Sequence, residues 1–291
     1  MTATYLDRLA SRSAAVGSVL CVGLDPDPAA LPAGFSPDLD GIERFVTLLI
    51  ESSAPVAAAF KPNLAFYEAF GAPGLALLER IRARIPADIP VVVDAKRGDI
   101  GSTSSRHAAA LFDRLGADAV TISPYPGAEG LAPLLERADR FAYVLCRTSN
   151  PGAGELQNLA LAADPGTGAP AEPLHLRVAR LVAGWGPGGT VGLVVGATAP
   201  AELCAIRAVA PGLAFLVPGV GAQGGEIEPV LEHGPATTAP AGPGAGHGLL
   251  VNVSRGISGA VPRAGEGRAG DVGTALAEAA ADWAARLPVL P

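Results

Sequence analysis

The sequence contains very little lysine. Of 291 residues only two are lysines, Lys61 and Lys96, whereas nineteen are arginines. The many alanines, glycines and prolines indicate the codon bias of a GC-rich genome, which replaces lysine wherever arginine serves equally well. Arginine stays protonated in proteins, whereas a lysine ammonium can release a proton and recover it. Both lysines are therefore candidates for chemistry that arginine cannot perform.

Cysteine and histidine are also scarce. Cys21, Cys146 and Cys204 lie far apart and form no CxxC pair, and the four histidines show no HxH or HExxH spacing. This pattern argues against a disulfide framework and against a structural zinc site. We expect reduced thiols and neither a metal ion nor an organic cofactor.

Positive charge and long apolar segments are lacking too. The net charge of -7 provides no basic field for nucleic acid or an anionic membrane, so an anionic substrate would need a local cluster of cations. No segment approaches the ~20 apolar residues of a membrane span. Arg8 and Arg12 before the apolar residues 14–24 imitate a signal peptide, but no small-residue cleavage site follows. We therefore expect a cytoplasmic protein.

Eight short apolar segments alternate with segments of helical pattern. Near-continuous apolar segments of this length are typical of strands buried on both faces of a parallel sheet. They predict a (β/α)8 TIM barrel, a fold that routinely reaches this length as a single domain. An open doubly wound sheet is the rival, but no GxGxxG follows the first segment. The predicted strands are 19–24, 56–60, 91–93, 119–122, 142–146, 191–195, 214–217 and 249–253.

The intervening segments divide into helices and loops. Apolar residues within 42–50 repeat with helical spacing, and helices are also predicted at 102–115, 174–182 and 275–287. Two stretches rich in Gly, Pro, Ala and Thr, at about 150–173 and 234–248, are predicted to be loop insertions within one domain spanning 1–291. The first follows the fifth strand, where an active-site loop would lie. The second fits a solvated insertion without a role equally well.

The segment 91–99 carries the densest chemical signal. Asp94 and Lys96 lie two residues apart at the carboxyl end of the third strand, so both side chains should point into the barrel mouth. Asp99 follows in the loop, and Lys61 ends the second strand. A structural ion pair would also explain Asp94 and Lys96, but the scarcity of lysine favours a functional role.

Polar residues follow four other strands as well. Asp25 follows the first strand, Ser149 the fifth, Gln223 the seventh and Arg255 the eighth. Glycines around Gln223 would let backbone N–H groups approach an anion, and Arg255 supplies a fork of donors. Because the loops after strands seven and eight are the usual phosphate site of this fold, we predict a phosphorylated substrate.

Together, Lys61 and the DxKxxD set resemble the Lys-Asp-Lys-Asp tetrad of the orotidine 5′-phosphate decarboxylase family. The FKPN motif at 60–63 resembles the bacterial subgroup typified by mycobacterial enzymes, and the resemblance covers residues 19–257. It implies a metal-free lyase that converts orotidine 5′-phosphate to uridine 5′-phosphate and CO2 in de novo pyrimidine biosynthesis. Lys96 would then protonate C6, and Asp94 would lie against the substrate carboxylate.

The resemblance also implies roles for the remaining residues. Lys61 and Asp25 would bind ribose hydroxyls, and Ser149 would face the pyrimidine. Gln223 and Arg255 would bind the phosphate. Asp99 and Thr103 would reach the site from the neighbouring subunit of a homodimer.

Two other functions stay open at this point. A magnesium-dependent sugar-phosphate decarboxylase shares the DxKxxD motif, but its relatives carry a metal-binding carboxylate near the end of strand two, where this chain has Lys61. A non-catalytic barrel that binds phosphoribosyl ligands would need no lysine between carboxylates.

Overall fold

The structure, a computed structural model, describes residues 3–221, 223–261 and 271–290. Eight strands form a single parallel sheet. In chain order they are β1 Leu20–Leu24, β2 Ala59–Pro62, β3 Val92–Arg97, β4 Ala119–Ile122, β5 Phe141–Arg147, β6 Val191–Val195, β7 Ala214–Pro218 and β8 Leu249–Val253.

The sheet closes on itself. Its strand order is β2-β1-β8-β7-β6-β5-β4-β3, and the two end strands also meet. Phe60 N–H donates to the carbonyl of Pro90 at 3.0 Å, and Leu64 N–H donates to the carbonyl of Asp94 at 3.1 Å. The predicted (β/α)8 barrel is therefore confirmed.

Helices surround the barrel, and those predicted at 42–50, 174–182 and 275–287 are confirmed. The one predicted at 102–115 is α-helical only to residue 108 and continues as a π-helix, Ala109–Arg114. Short 3₁₀ turns lie at Pro28–Ala30, Pro151–Ala153 and Ala245–Gly248. The α-helices are α1 Tyr5–Val16, α2 Leu39–Ser53, α3 Ala65–Glu68, α4 Gly71–Arg84, α5 Gly101–Ala108, α6 Gly127–Leu135, α7 Gly154–Gln157, α8 Leu174–Ala183, α9 Pro200–Val209, α10 Ile227–His233, α11 Arg255–Ser258 and α12 Val272–Arg286.

Two apolar layers hold the barrel together. Successive side chains of a strand point to opposite faces, so each strand contributes to both layers. In β8, Leu250 belongs to the inner cluster, whereas Val251 and Val253 pack outward against the helices. Because both faces of each strand are buried, the strands appear in the sequence as continuous apolar segments.

Two strands differ from the prediction by more than one residue at a boundary. β2 begins at Ala59, because residues 54–56 form a turn after α2. β3 extends to Arg97, so Asp94 and Lys96 belong to the strand itself.

Helix α1 covers the amino end of the barrel. Tyr5 stacks on Phe141 at 4.7 Å between ring centroids, and Arg8 donates to the buried Asp118 carboxylate at 2.6 Å. Within the segment 234–248, the turn Ala245–Gly248 packs against α1 at this same end, opposite the mouth where the predicted site residues lie.

The last described residues meet the start of β1. Ser18 pairs with Pro288 in an antiparallel bridge, and Val19 N–H donates to the carbonyl of Leu287 at 3.0 Å. The last described segment therefore also lies beneath the amino end of the barrel.

The segment 150–173 lies at the mouth and is partly ordered rather than a plain loop. It contains α7 and a two-stranded antiparallel ribbon, Ala160–Leu161 with Glu172–Pro173. The buried Glu172 carboxylate accepts hydrogen bonds from Arg177 at 2.9 Å and Arg180 at 2.8 Å, which anchors the ribbon to α8.

Among the described helices, none combines the length and apolarity that a membrane crossing requires.

Candidate active site

The carboxyl end of β3 brings Asp94 and Lys96 together. Lys96 Nζ donates to Asp94 Oδ1 at 2.6 Å. The strand is irregular here, because its register with β4 shifts and Lys96 has φ +47°. Non-glycine residues rarely adopt this left-handed conformation, which is costly and concentrates at functional sites. The side chain of Lys96 is 49% exposed, so its ammonium group is open to the mouth.

Lys61 lies on the other side of the same carboxylate. Its Nζ donates to Asp94 Oδ2 at 3.0 Å, and its side chain is only 4% exposed. The two lysines of the sequence therefore flank one aspartate, as strand ends that converge at a barrel mouth allow.

Burial and opposite charge compete at this cluster. Burial alone would raise the pKa of Asp94, but Lys61 and Lys96 outweigh it and hold the pKa below the usual aspartate range. Burial alone would lower the pKa of Lys61, but the carboxylates of Asp25 and Asp94 together hold it above the usual lysine range. Burial also raises the pKa of the nearby Cys21 thiol to about 12. At neutral pH the lysine–aspartate pair is therefore ionised and the thiol is neutral.

Thr121, on β4, belongs to the cluster but was not predicted from the sequence. Its hydroxyl donates to Asp94 Oδ1 at 2.8 Å and accepts the backbone N–H of Lys96 at 3.0 Å. The residue is only 1% exposed. The available signal was one polar residue near the end of an apolar strand, where barrel strands converge.

Asp25 links the charged cluster to an open cavity. Its Oδ1 accepts the backbone N–H of Asn63 at 3.2 Å, and its charge acts on Lys61. The cavity, about 720 Å³, lies at the carboxyl ends of β7, β8 and β1, and Gln223 and Arg255 line it together with Asp25. This volume is in the range of small-molecule sites.

Ser149, after β5, lies against the loop that follows β7. A Cβ on Gly219, where φ is +98°, would lie 2.9 Å from Ser149 Cβ and 3.0 Å from Gln223 Oε1. Glycine at this position therefore lets Ser149, which is predicted to face the pyrimidine, lie close to Gln223, which is predicted to bind the phosphate.

Gln157, at the end of α7, fixes the loop that carries Ser149. Its Oε1 accepts the backbone N–H of Thr148 at 2.9 Å, and its Nε2 donates to Thr148 Oγ1 at 2.9 Å. One side chain thus ties the segment 150–157 to the residue that precedes Ser149.

Asp99 and Thr103 are not brought to the cluster. The Asp99 carboxylate accepts the backbone N–H of Ile100 at 2.7 Å, and no ion pair within the described ranges reaches it. Thr103 lies half-buried in the first turn of α5. Over the part of the chain that the structure describes, no group of three or more His, Cys, Asp or Glu side chains is arranged to hold a metal ion.

Comparison with known proteins identifies the family. A model of the orotidine 5′-phosphate decarboxylase / HUMPS family matches residues 18–269. The chain belongs to this family.

Relatives named orotidine 5′-phosphate decarboxylase match most of the chain. The protein of that name from Herpetosiphon aurantiacus is 47% identical over 254 residues, which cover 87% of this chain and 88% of the relative. The structure of Leishmania donovani OMP decarboxylase has a TM-score of 0.77 and 38% identity, and covers 98% of both chains. The structure of Leishmania donovani UMP synthase has a TM-score of 0.78 and 41% identity, and covers 97% of this chain but 56% of that longer one. Fold and family thus agree with the resemblance seen in the sequence.

Proposed function

We propose that the chain is an orotidine 5′-phosphate decarboxylase, which forms uridine 5′-phosphate and CO2 in de novo pyrimidine biosynthesis. The observation that carries this function is the Asp94 carboxylate between the ammonium groups of Lys61 and Lys96. The neighbouring nucleotide-sized cavity and the relatives of that name support it.

In the proposed reaction the C6–carboxylate bond breaks and its electron pair stays on C6. That pair lies in the ring plane, where no carbonyl can delocalise it. Lys96 Nζ donates a proton to C6 and CO2 departs, after which solvent reprotonates the amine. The exposure of the Lys96 ammonium at the mouth supports this role.

Proton donation alone is too small a contribution for so poor a carbanion. General acid catalysis contributes about 10²–10⁴-fold, or roughly 3–5 kcal/mol. A fixed ammonium about 4 Å from the developing charge adds about 4 kcal/mol at an effective dielectric near 20, before desolvation. In this proposal pre-positioned charge therefore supplies much of the remaining stabilisation of the carbanion, and Asp94 with Thr121 holds Lys96 in place for it.

Binding roles follow the arrangement along the mouth. Asp25 and Lys61 bind the ribose hydroxyls, Ser149 faces the pyrimidine, and Gln223 with Arg255 binds the phosphate. The cavity wall that Asp25 shares with Gln223 and Arg255, and the close approach of Ser149 to Gln223, support this order.

The proposed active unit is a homodimer in which Asp99 and Thr103 complete the partner's site. The exposed Asp99 has no cation partner among the described residues. Next to it Ile100 is 67% exposed, and Tyr125, just before the adjacent helix α6, is 92% exposed. Aromatic side chains such as that of Tyr125 are enriched at protein–protein interfaces. A cytoplasmic location and the absence of a cofactor stay predictions.

Neither alternative is favoured by the site. In the magnesium-dependent reaction a carboxylate would stand near the end of strand two, and here Lys61 occupies that end and hydrogen-bonds Asp94. A binding protein without catalysis would gain nothing from a lysine held in a left-handed backbone conformation.

The test is decarboxylation of orotidine 5′-phosphate after exhaustive chelation with EDTA. We expect full activity in the wild type. We expect none in Lys96→Arg, which keeps the charge but not the transferable proton. Activity that disappears in EDTA and returns with Mg²⁺ would contradict the assignment, and a Lys96→Arg variant with a tenth of wild-type kcat would remove Lys96 from proton donation.

A further inference from the structure

Asn252 is a polar residue inside the barrel. It lies on β8 two residues after Leu250, whose side chain belongs to the inner cluster, so alternation points Asn252 inward as well. In the strand register it lies opposite Cys21 of β1 and Pro218 of β7. Asn252 therefore lies at the floor of the mouth, directly above the apolar inner layer.

The same residue lines the cavity that Asp25, Gln223 and Arg255 share. β8 lies between β7, whose following loop carries Gln223, and β1, which ends next to Asp25. Asn252 thus lies between the proposed phosphate-binding and ribose-binding residues.

The side-chain amide oxygen of Asn252 is buried and has no hydrogen-bond partner in the described parts of the protein. Buried polar groups are almost always paired, and an unpaired one destabilises the folded protein. The neighbouring inward positions carry apolar side chains or a neutral thiol, for example Leu216, Leu250 and Cys21. An apolar residue would therefore suit this position better if it served the fold alone.

We propose that Asn252 is a further substrate-binding residue, whose Oδ1 accepts a hydrogen bond from a ribose hydroxyl of the bound nucleotide. An unpaired acceptor needs a donor, and a phosphate dianion offers only acceptors. The other donor of the nucleotide, the pyrimidine N–H, belongs near Ser149, which follows β5 three strands away. In the proposed arrangement the ribose lies towards Asp25, which follows the adjacent strand β1. This inference rests on the proposed function.

The decisive variant is Asn252→Leu, which keeps the size of the side chain and removes the amide. Two measurements should move in opposite directions. The melting temperature of the ligand-free protein should rise by about 2–4 °C, because an unpaired buried polar group is lost. The KM should rise about tenfold with kcat within a factor of two, because a ligand hydrogen bond is lost.

A matched control is Thr190→Val. The Thr190 hydroxyl is likewise buried and unpaired among the described residues, but it precedes β6 at the opposite end of the barrel. This variant should also melt at a higher temperature, and its kinetics should equal those of the wild type.

Binding of the product identifies the contacted group and covers the case in which Asn252→Leu folds poorly. Calorimetry would compare uridine 5′-phosphate with its 2′-deoxy and 3′-deoxy forms on the wild type and on Asn252→Ala. We expect one deoxy form to lose less affinity on Asn252→Ala than on the wild type, because the contacts of Asp25 and Lys61 with the ribose remain. Equal losses on both proteins would overturn the inference. A wild type that neither decarboxylates the substrate nor binds the product would instead overturn the proposed function.

Discussion

Replacement of Thr121 by valine removes one hydroxyl and keeps the shape of the side chain. That hydroxyl is 2.8 Å from Asp94 Oδ1 and 3.0 Å from the backbone nitrogen of Lys96. It therefore fixes both the carboxylate that holds the Lys96 ammonium and the backbone that carries it. The φ of +47° at Lys96 adds to this dependence, because a costly conformation persists only where its surroundings hold it.

The expected fall in kcat follows from the loss of these two hydrogen bonds. The bond to the charged carboxylate is worth about 1.5–3 kcal/mol, and the Lys96 N–H left unpaired costs about 1–3 kcal/mol. If about half of the sum is lost from transition-state stabilisation, kcat should fall about 10- to 100-fold. The KM should change by less than about threefold, because in this account Thr121 acts through Lys96 and Asp94 and not on bound substrate.

Steady-state kinetics with orotidine 5′-phosphate would measure both constants. Thr121→Ser, which keeps a hydroxyl, should recover most of the kcat that Thr121→Val loses. Thr47→Val serves as the control, because the Thr47 hydroxyl on α2 is buried and unpaired among the described residues and far from the cluster. A Thr121→Val variant with kcat within a factor of two of the wild type would refute the positioning role.

Three other predictions test the site from different directions. Inactive Asp99→Ala and Lys96→Ala homodimers should regain about a quarter of wild-type activity when they are dissociated and mixed, because random exchange makes half of the dimers hybrids with one intact site. If verified subunit exchange gave no recovery, Asp99 would act in its own subunit's site. The KM effects of Ser149→Ala and Gln157→Met should not add in the double variant, since Gln157 acts by holding the loop of Ser149; additive effects would separate the two residues. Because the lysines hold the folded-state pKa of Asp94 below its unfolded value of about 3.9, its stabilising contribution is complete above that pH and is lost as pH falls. Asp94→Asn should therefore flatten the acid side of the unfolding free energy against pH, and an unchanged acid slope would contradict the ionised pair.

The barrel was predictable because its strands are buried on both faces. Such strands are continuous apolar segments in the sequence, and these differ clearly from the helices, in which apolar residues recur every three or four positions. The contact between Asp94 and Lys96 was predicted for a regular strand, yet it occurs on a backbone that the alternation rule does not describe, since Lys96 has a positive φ. The Lys61–Asp94 bond follows from the convergence of strand ends.

Thr121 and Asn252 escaped prediction for a common reason. Each is one polar residue in an apolar strand, and only the three-dimensional arrangement shows whether its side chain has a partner.

The place of Asp99 was not derivable from one chain, because its proposed partner lies on a second one. The segment 234–248 could not be located from composition, since nothing in it shows that it packs against α1 at the end opposite the site.

Helix α1 and the last described segment lie at the same end of the barrel, which has a practical meaning for attachment. Helix α1 covers the amino end of the barrel, and the bridge between Ser18 and Pro288 brings the last described segment to the same place. The first and the last described residues therefore lie on the side of the barrel away from Lys96. Affinity tags, immobilisation linkers or a second catalytic unit can therefore be joined there without reaching the mouth.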